Sequence, residues 1–223
     1  TGDPGELLGQ LIDIQRRLLA RSDLDQDTRA QADIVLAERL GQRAVSGDDG
    51  AAASADLAEA VAAAQRAVDA TPPDHGRYSI RLIGLANALM AQIDAVQDEG
   101  PEYVAADLER LIEVERRLLA CPDLPRQTRA QADMVLAERL RQRAERGGTS
   151  ASADLDEAVA AAQRAVDATP SDDERYSSRL ITLANNLMTR IDATGDPGEL
   201  LGQLIDIQRR LLACPDLDRD TRA

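Results

Sequence analysis

The sequence Asp-Leu-Asp-Glu-Ala-Val-Ala-Ala-Ala-Gln-Arg-Ala-Val-Asp-Ala-Thr-Pro at 154–170 returns at 56–72 with a single difference. Within each copy, small apolar residues recur at the spacing of one face of an α-helix. These residues are Ala158, Ala162, Ala165 and Val166 in one copy and Ala60, Ala64, Ala67 and Val68 in the other. Because a face of alanines lets a second helix approach closely, the two copies predict a repeat protein built from packed helices.

Longer stretches repeat as well, and they define the unit of duplication. The segment 11–20 recurs with substitutions at 111–120 and without change at 204–213, and 194–223 differs from 1–30 at only three positions. The spacing of the copies predicts four helices in each unit. The predicted units are two full copies, at about 1–100 and 101–193, and a partial copy at 194–223. We therefore expect about nine helices and a truncated tenth, as a segment of a longer array.

The first helix is predicted to start after Pro4 and to end near Arg21. Its apolar residues, which are expected to be buried, are Leu7, Leu8, Leu11, Ile14, Leu18 and Leu19. The ends of a solenoid need polar caps, and the first and last helices carry apolar stripes instead. We therefore expect the protein to associate head to tail in a concentration-dependent manner.

Composition and charge narrow the class of protein and its partners. The chain has no Lys, Trp or Phe, and it is rich in Ala, Leu and Arg, which favour helices. Its formal net charge of −14 opposes both nucleic acid and anionic membrane surfaces. No apolar run approaches the roughly 18 to 20 residues that span a bilayer. We expect an all-α protein that binds neither nucleic acid nor membrane.

The positions of the two cysteines indicate whether the protein belongs to a reducing or an oxidising compartment. Cys121 and Cys214 occupy equivalent positions that are separated by four helices. Neighbouring helices lie roughly 8 to 10 Å apart, so the two Cα atoms should exceed the roughly 7 Å limit for a disulfide. Thiols without a disulfide are typical of a reducing compartment, and we expect a cytoplasmic protein.

Four Leu-Ala motifs mark the helix that precedes each alanine-rich or leucine-rich helix. They stand at 36–40, 85–89, 136–140 and 183–187. Together with the Ala-x3-Ala-x2-Ala-Val-x3-Pro pattern, these motifs resemble the tetratricopeptide repeat over essentially the whole chain, in its long-helix actinobacterial form. The resemblance implies a right-handed superhelical solenoid of antiparallel helical hairpins. The motifs are 49, 51 and 47 residues apart, against roughly 34 in that repeat, so a HEAT-like α-solenoid remains the alternative.

The resemblance also implies a concave groove lined by one stripe from each Leu-Ala helix. The stripe consists of Ile34, Glu38, Gly41, Ile83, Asn87, Met90, Met134, Glu138, Arg141, Ile181, Asn185 and Met188. Methionine adapts to varied partners and Asn amides can pair with a peptide backbone, so such a groove would suit an amphipathic helix or an extended peptide. The alternative is that the stripe is core, since apolar residues at helical spacing usually pack. Arg81 and Arg179 are candidate ligands for acidic groups, although paired surface arginines are the commoner case.

Two Asp-x-Asp-x-Asp sequences, at 23–27 and 216–220, begin like a calcium-binding loop. The sixth position is Thr28 or Thr221 where that loop needs glycine, and the twelfth position of the first sequence is Ile34 where it needs glutamate. We expect these aspartates to cap helices.

Catalytic motifs are scarce. His75 is the only histidine, so a histidine-rich zinc site is excluded. The glycine-containing turns at 2–5 and 195–198 lack the Gly-Lys-Ser/Thr sequence of a phosphate-binding loop. The sequence therefore predicts a non-enzymatic protein with no cofactor and no metal site. We expect a scaffold for protein–protein interaction whose groove holds a peptide or helix of a partner or of its own larger protein. The alternative is a structural spacer or self-assembling array without a groove ligand.

Overall fold

The computed structural model describes residues 4–46, 50–96, 101–195 and 198–214. In these residues all regular structure is helical, which confirms the predicted all-α class. The nine helices are α1 (Pro4–Leu19), α2 (Gln26–Ser46), α3 (Gly50–Asp69), α4 (Tyr78–Val96), α5 (Pro101–Leu119), α6 (Arg126–Glu145), α7 (Ala151–Asp167), α8 (Tyr176–Thr194) and α9 (Gly198–Ala213). None of the helices described is both long enough and apolar enough to span a membrane.

The chain divides into two compact units, Thr1–Arg117 and Leu118–Ala223, with the division inside α5. In the first unit α1 packs on α2, α2 on α3 and α3 on α4. In the second unit α6 packs on α7, α7 on α8 and α8 on α9. In each unit the two Leu-Ala helices also touch each other. These pairs are α2 with α4 in the first unit and α6 with α8 in the second. These second-neighbour contacts place two Leu-Ala helices side by side.

The alanine faces of α3 and α7 lie at the centre of each unit. Ala60, Ala64 and Ala67 are completely buried in α3, and their copies Ala158, Ala162 and Ala165 are completely buried in α7. Their small side chains let α2 and α4 approach α3, and the same applies to α6 and α8 around α7. Leu40 of α2 and Leu82 and Leu89 of α4, the two helices that pack on α3, are also completely buried. The repeated sequence thus forms the core that holds the Leu-Ala helices in position.

Ion pairs between buried aspartates and partly exposed arginines join the central hairpin of each unit. Arg66 of α3 donates from Nε and Nη2 to Oδ1 of Asp33, at 3.1 and 2.5 Å, and Arg43 of α2 donates to both oxygens of Asp56, at 2.6 Å each. The same two pairs recur in the second unit, where Arg164 binds Asp133 and Arg143 binds Asp154. All four aspartates are buried. Each hairpin is therefore fixed by two charged contacts as well as by its apolar face.

The predicted stripe of α1 is wrong at Leu7, Leu11 and Ile14, which are exposed. The buried residue on this helix is Ile12, on the side that contacts α2. Because α1 has apolar residues on two sides, its periodicity does not reveal which side another helix covers. Leu204 of α9, the copy of Leu11, is buried where α9 packs on α8, so the two copies bury different sides.

Candidate binding groove

A groove of about 560 Å³ lies between α2 and α4 in the first unit. It is lined by Ile34, Ala37, Glu38, Gly41, Gln42, Val45 and Ser46 from α2 and by Ile80, Ile83, Gly84, Asn87, Ala88 and Ala91 from α4. Five of the six stripe residues predicted in this unit are among them, and the sixth, Met90, is not. The structure therefore brings most of the predicted stripe of this unit together on one surface.

Small residues keep this groove open. Gly41 has nothing within 4 Å of the position that a Cβ atom would take. At Gly84 a Cβ atom would lie only 2.9 Å from Cδ1 of Ile34, so the isoleucine side chain of α2 rests against the bare backbone of α4. Ala88 and Ala91 continue the floor along α4. The result is a shallow apolar trough with Glu38 as its acidic side chain.

None of the twelve predicted stripe residues is buried. In the second unit Ile181 and Met188 are 39% and 48% exposed, and Asn185 is exposed beside them. Met134, Glu138 and Arg141 on α6 are partly exposed. The stripe therefore forms a surface in both units and does not pack into a second layer of core.

The corresponding surface of the second unit is filled by polar side chains. Arg141, at the position of Gly41, donates to both oxygens of Glu138, at 2.6 and 3.3 Å, and also binds Glu145, at the position of Val45. Burial lowers the pKa of Arg141, but the bonds to these two glutamates outweigh it and the net shift is upward. A smaller cavity of about 280 Å³ remains beside Met134 and Thr182.

The sequence differences between the two units are concentrated in the groove. Segments 26–46 and 78–96 differ from 126–146 and 176–194 at twelve of forty positions. Eight of the twelve line the groove, although only thirteen of the forty positions do. In the central alanine-rich copy, 56–72 against 154–170, one position of seventeen differs. The supporting core has been kept and the groove surface has changed, and comparison of the copies would have revealed this from sequence.

The two candidate arginines, Arg81 and Arg179, do not line the groove. They are 2% and 3% exposed, and each guanidinium donates to the hydroxyl of a threonine ten residues earlier, Thr71 or Thr169. Arg81 also binds the carboxylate of Asp27. The expected surface position is therefore wrong for both, since their side chains lie between helices.

Arg179 differs from its copy in lacking a carboxylate. Gln127 stands where the first unit has Asp27, and its amide oxygen, in the orientation that satisfies its hydrogen bonds, accepts from Arg175. Nη2 of Arg179 is buried without a hydrogen-bond partner. Burial and the nearby charge of Arg175 lower the pKa of Arg179. The nearby carboxylate of Asp173 acts in the opposite direction and offsets these two effects only in part.

In the calcium-like sequence at 23–27 only Asp25 caps a helix, whereas Asp23 binds Arg21 and Asp27 binds Arg81. Asp25 accepts from the backbone N–H and the hydroxyl of Thr28, at 2.8 and 2.7 Å, which confirms it as the cap of α2. These bonds lower the pKa of Asp25. The second such sequence, 216–220, lies outside the described residues. Among the residues the structure describes, no cluster of three or more His, Cys, Asp or Glu side chains could hold a metal ion.

Both cysteines lie within the described residues. Neither is in a disulfide, and the thiol of Cys214 donates to the carbonyl of Arg210 at 3.4 Å.

Comparison with known proteins adds no family. No protein-family model matches the chain, and no curated protein sequence matches it. The groove and the paired units therefore carry the functional argument.

Proposed function

We propose that the protein is a non-enzymatic scaffold for protein–protein interaction, in which the groove between α2 and α4 binds an amphipathic helix or peptide. The proposal includes a cytoplasmic location and a right-handed solenoid of antiparallel hairpins similar to tetratricopeptide repeats. The observation that carries it is the concentration of differences between the units in the groove lining. Exposed positions of the same helices outside the groove, such as Thr28, Gln31 and Asp94, are identical in the two copies, so the change is concentrated in the groove and is not an even divergence of the whole surface.

The dimensions and the chemistry of the groove support a peptide ligand. Its volume of about 560 Å³ falls within the roughly 300 to 1,000 Å³ of ordinary binding pockets. Ile34, Ile80 and Val45 offer apolar contact, and the small residues Gly41 of α2 and Ala91 of α4 leave room for a second backbone. This combination is typical of a groove that receives the apolar face of a helix.

Gly41→Arg provides the test, because it places in the first unit the side chain that fills the second. A Cβ atom at Gly41 meets nothing within 4 Å, and replacing a helical glycine by arginine stabilises a helix by about 0.8 kcal/mol. The variant should therefore fold. Gly202→Arg makes the same change on the exposed side of α9, where a Cβ atom also meets nothing, and serves as the matched control.

The probe is a displayed library of single helices with one face randomised. Selection against the native chain should enrich helices that bind the native chain and Gly202→Arg with equal affinity. These helices should bind Gly41→Arg at least tenfold more weakly. If the enriched helices bind all three proteins equally, or if none is enriched, the groove is not a binding site and the spacer becomes the better proposal.

A further inference from the structure

In the second unit, the glutamate that corresponds to Glu38 of the groove is paired with an arginine. Glu138 holds the guanidinium of Arg141 through two hydrogen bonds, at 2.6 and 3.3 Å. Glu38 occupies the same position in the first unit, where Gly41 replaces the arginine. Glu38 is exposed in the groove lining and forms no ion pair within the described residues. The first unit therefore keeps the carboxylate and lacks its cation.

The neighbouring cations of the first unit are engaged elsewhere. Arg39 donates to the amide oxygen of Gln42 at 2.8 Å, and Arg43 binds Asp56. Neither side chain forms an ion pair with Glu38. A partner that enters the groove must therefore either supply a cation to this carboxylate or cover it without one, which costs binding free energy.

We propose that the groove recognises a helix that presents an arginine next to aliphatic side chains, and that this arginine pairs with Glu38 in space that Arg141 fills in the second unit. This inference rests on the proposed function and deepens it. The two-bond geometry at Glu138 favours arginine over lysine, since a guanidinium matches a carboxylate with two donors. Val45 and Ile80 replace Glu145 and Ser178 beside it, so the rest of the ligand face is aliphatic.

The charge of the whole chain favours the same partner. A net charge of −14 attracts a basic helix during association and repels an acidic one. The cation at Glu38 then fixes the register of the helix in a trough whose other contacts are mostly apolar and therefore less directional.

The test uses the helices selected against the native chain. We expect them to share one arginine at a fixed distance from two or three aliphatic residues. Replacing that arginine by neutral citrulline should weaken binding about tenfold. Glu38→Gln should weaken binding of the arginine helix by the same factor and leave the citrulline helix unchanged, because the two changes remove one interaction. Glu174→Gln, at an exposed position of the second unit, controls for net charge.

Two results separate the inference from the function beneath it. Selected helices that lack a basic residue, or that bind Glu38→Gln as well as the native chain, overturn the inference while Gly41→Arg still blocks them. Helices that Gly41→Arg does not block overturn the proposed function and the inference together.

Discussion

Ile34 on α2 lies against Gly84 on α4 so closely that a Cβ atom on the glycine would be 2.9 Å from Cδ1 of the isoleucine. Real side chains do not approach to that distance, so any other residue at this position would move Ile34. The second unit has Thr182 at this point and Met134 opposite it. The form of the groove therefore depends on one glycine in α4.

Gly84→Ala tests this dependence. Alanine improves the helix by up to about 1 kcal/mol, and the displaced atom is the end of a flexible side chain, so the free energy of unfolding should change by less than about 1 kcal/mol. Ile34 should turn into the trough and weaken binding of a groove-selected helix several-fold. Urea unfolding and fluorescence anisotropy measure the two effects, and unchanged affinity would show that the contact does not shape the site.

Arg164→Met should destabilise the protein in a pH-dependent manner. Asp133 is buried, and burial raises its pKa above the ordinary 3.8 despite the hydrogen bond and charge of Arg164. Its contribution to stability is therefore fully present below about pH 3.8 and is lost as pH rises through the folded-state pKa. Without Arg164 only the more weakly acting charge of Arg129 remains, so that pKa rises further, and a buried carboxylate that has lost its bound partner costs about 3 kcal/mol at pH 7. Unfolding in urea at pH 7, 5 and 4 should show the deficit shrinking as pH falls.

The control is the same substitution in an Asp133→Asn background, where no carboxylate titrates. There the effect of Arg164→Met should be small and independent of pH. A deficit in the single variant that is equal at pH 7 and pH 4 would mean that the arginine acts through packing alone.

The all-α class and the repeated order of the helices could be predicted because repeated, strongly periodic segments constrain both. The starts of α3 and α4 show the limit of that reasoning, because the period of the apolar residues does not mark them. Helix α3 begins at Gly50, before its periodic part, and α4 begins only at Tyr78, after a turn at 72–75. The turn before α4 contains local hydrogen bonds, such as that from the N–H of His75 to the carbonyl of Pro72, and the period of the apolar residues does not report such bonds.

The residues of the predicted stripe could be found from the sequence, but the small residues that line the groove between them could not. Ile34, Ile83 and Asn87 recur at helical spacing, whereas Gly84 and Ala88 carry no hydrophobic signal and matter through the space they leave. Arginines such as Arg81 were expected at the surface because burying a charge is costly. Their partners, Asp27 and Thr71, are 54 and 10 residues away in sequence, and only the tertiary structure brings them together.

Gln127→Asp should stabilise the second unit. It restores at this position the carboxylate that binds Arg81 in the first unit, and Nη2 of Arg179 is buried without a partner. A hydrogen bond to a charged group contributes about 1.5 to 3 kcal/mol, so we expect a gain of at least 1 kcal/mol in the free energy of unfolding at pH 7. Asp27→Gln is the reciprocal control and should destabilise by a similar amount. A thermal midpoint that does not rise in Gln127→Asp would show that Arg179 is already compensated.

The exposed apolar side of α1 should drive the concentration-dependent association that the sequence predicts. Leu11 and Ile14 are 48% and 58% exposed there, and the copies of these residues in α9, Leu204 and Ile207, are buried against α8. The side that α1 exposes is therefore one that the same sequence packs elsewhere in the fold. Sedimentation velocity from about 5 to 500 μM should show that the mass of the native chain rises with concentration. The double variant Leu11→Glu with Ile14→Glu should abolish this rise. Because both positions are exposed, the double variant should keep the helical content of the native chain. Gly41→Arg should leave the rise unchanged, and a loss of association in that variant would instead make a second copy the occupant of the groove.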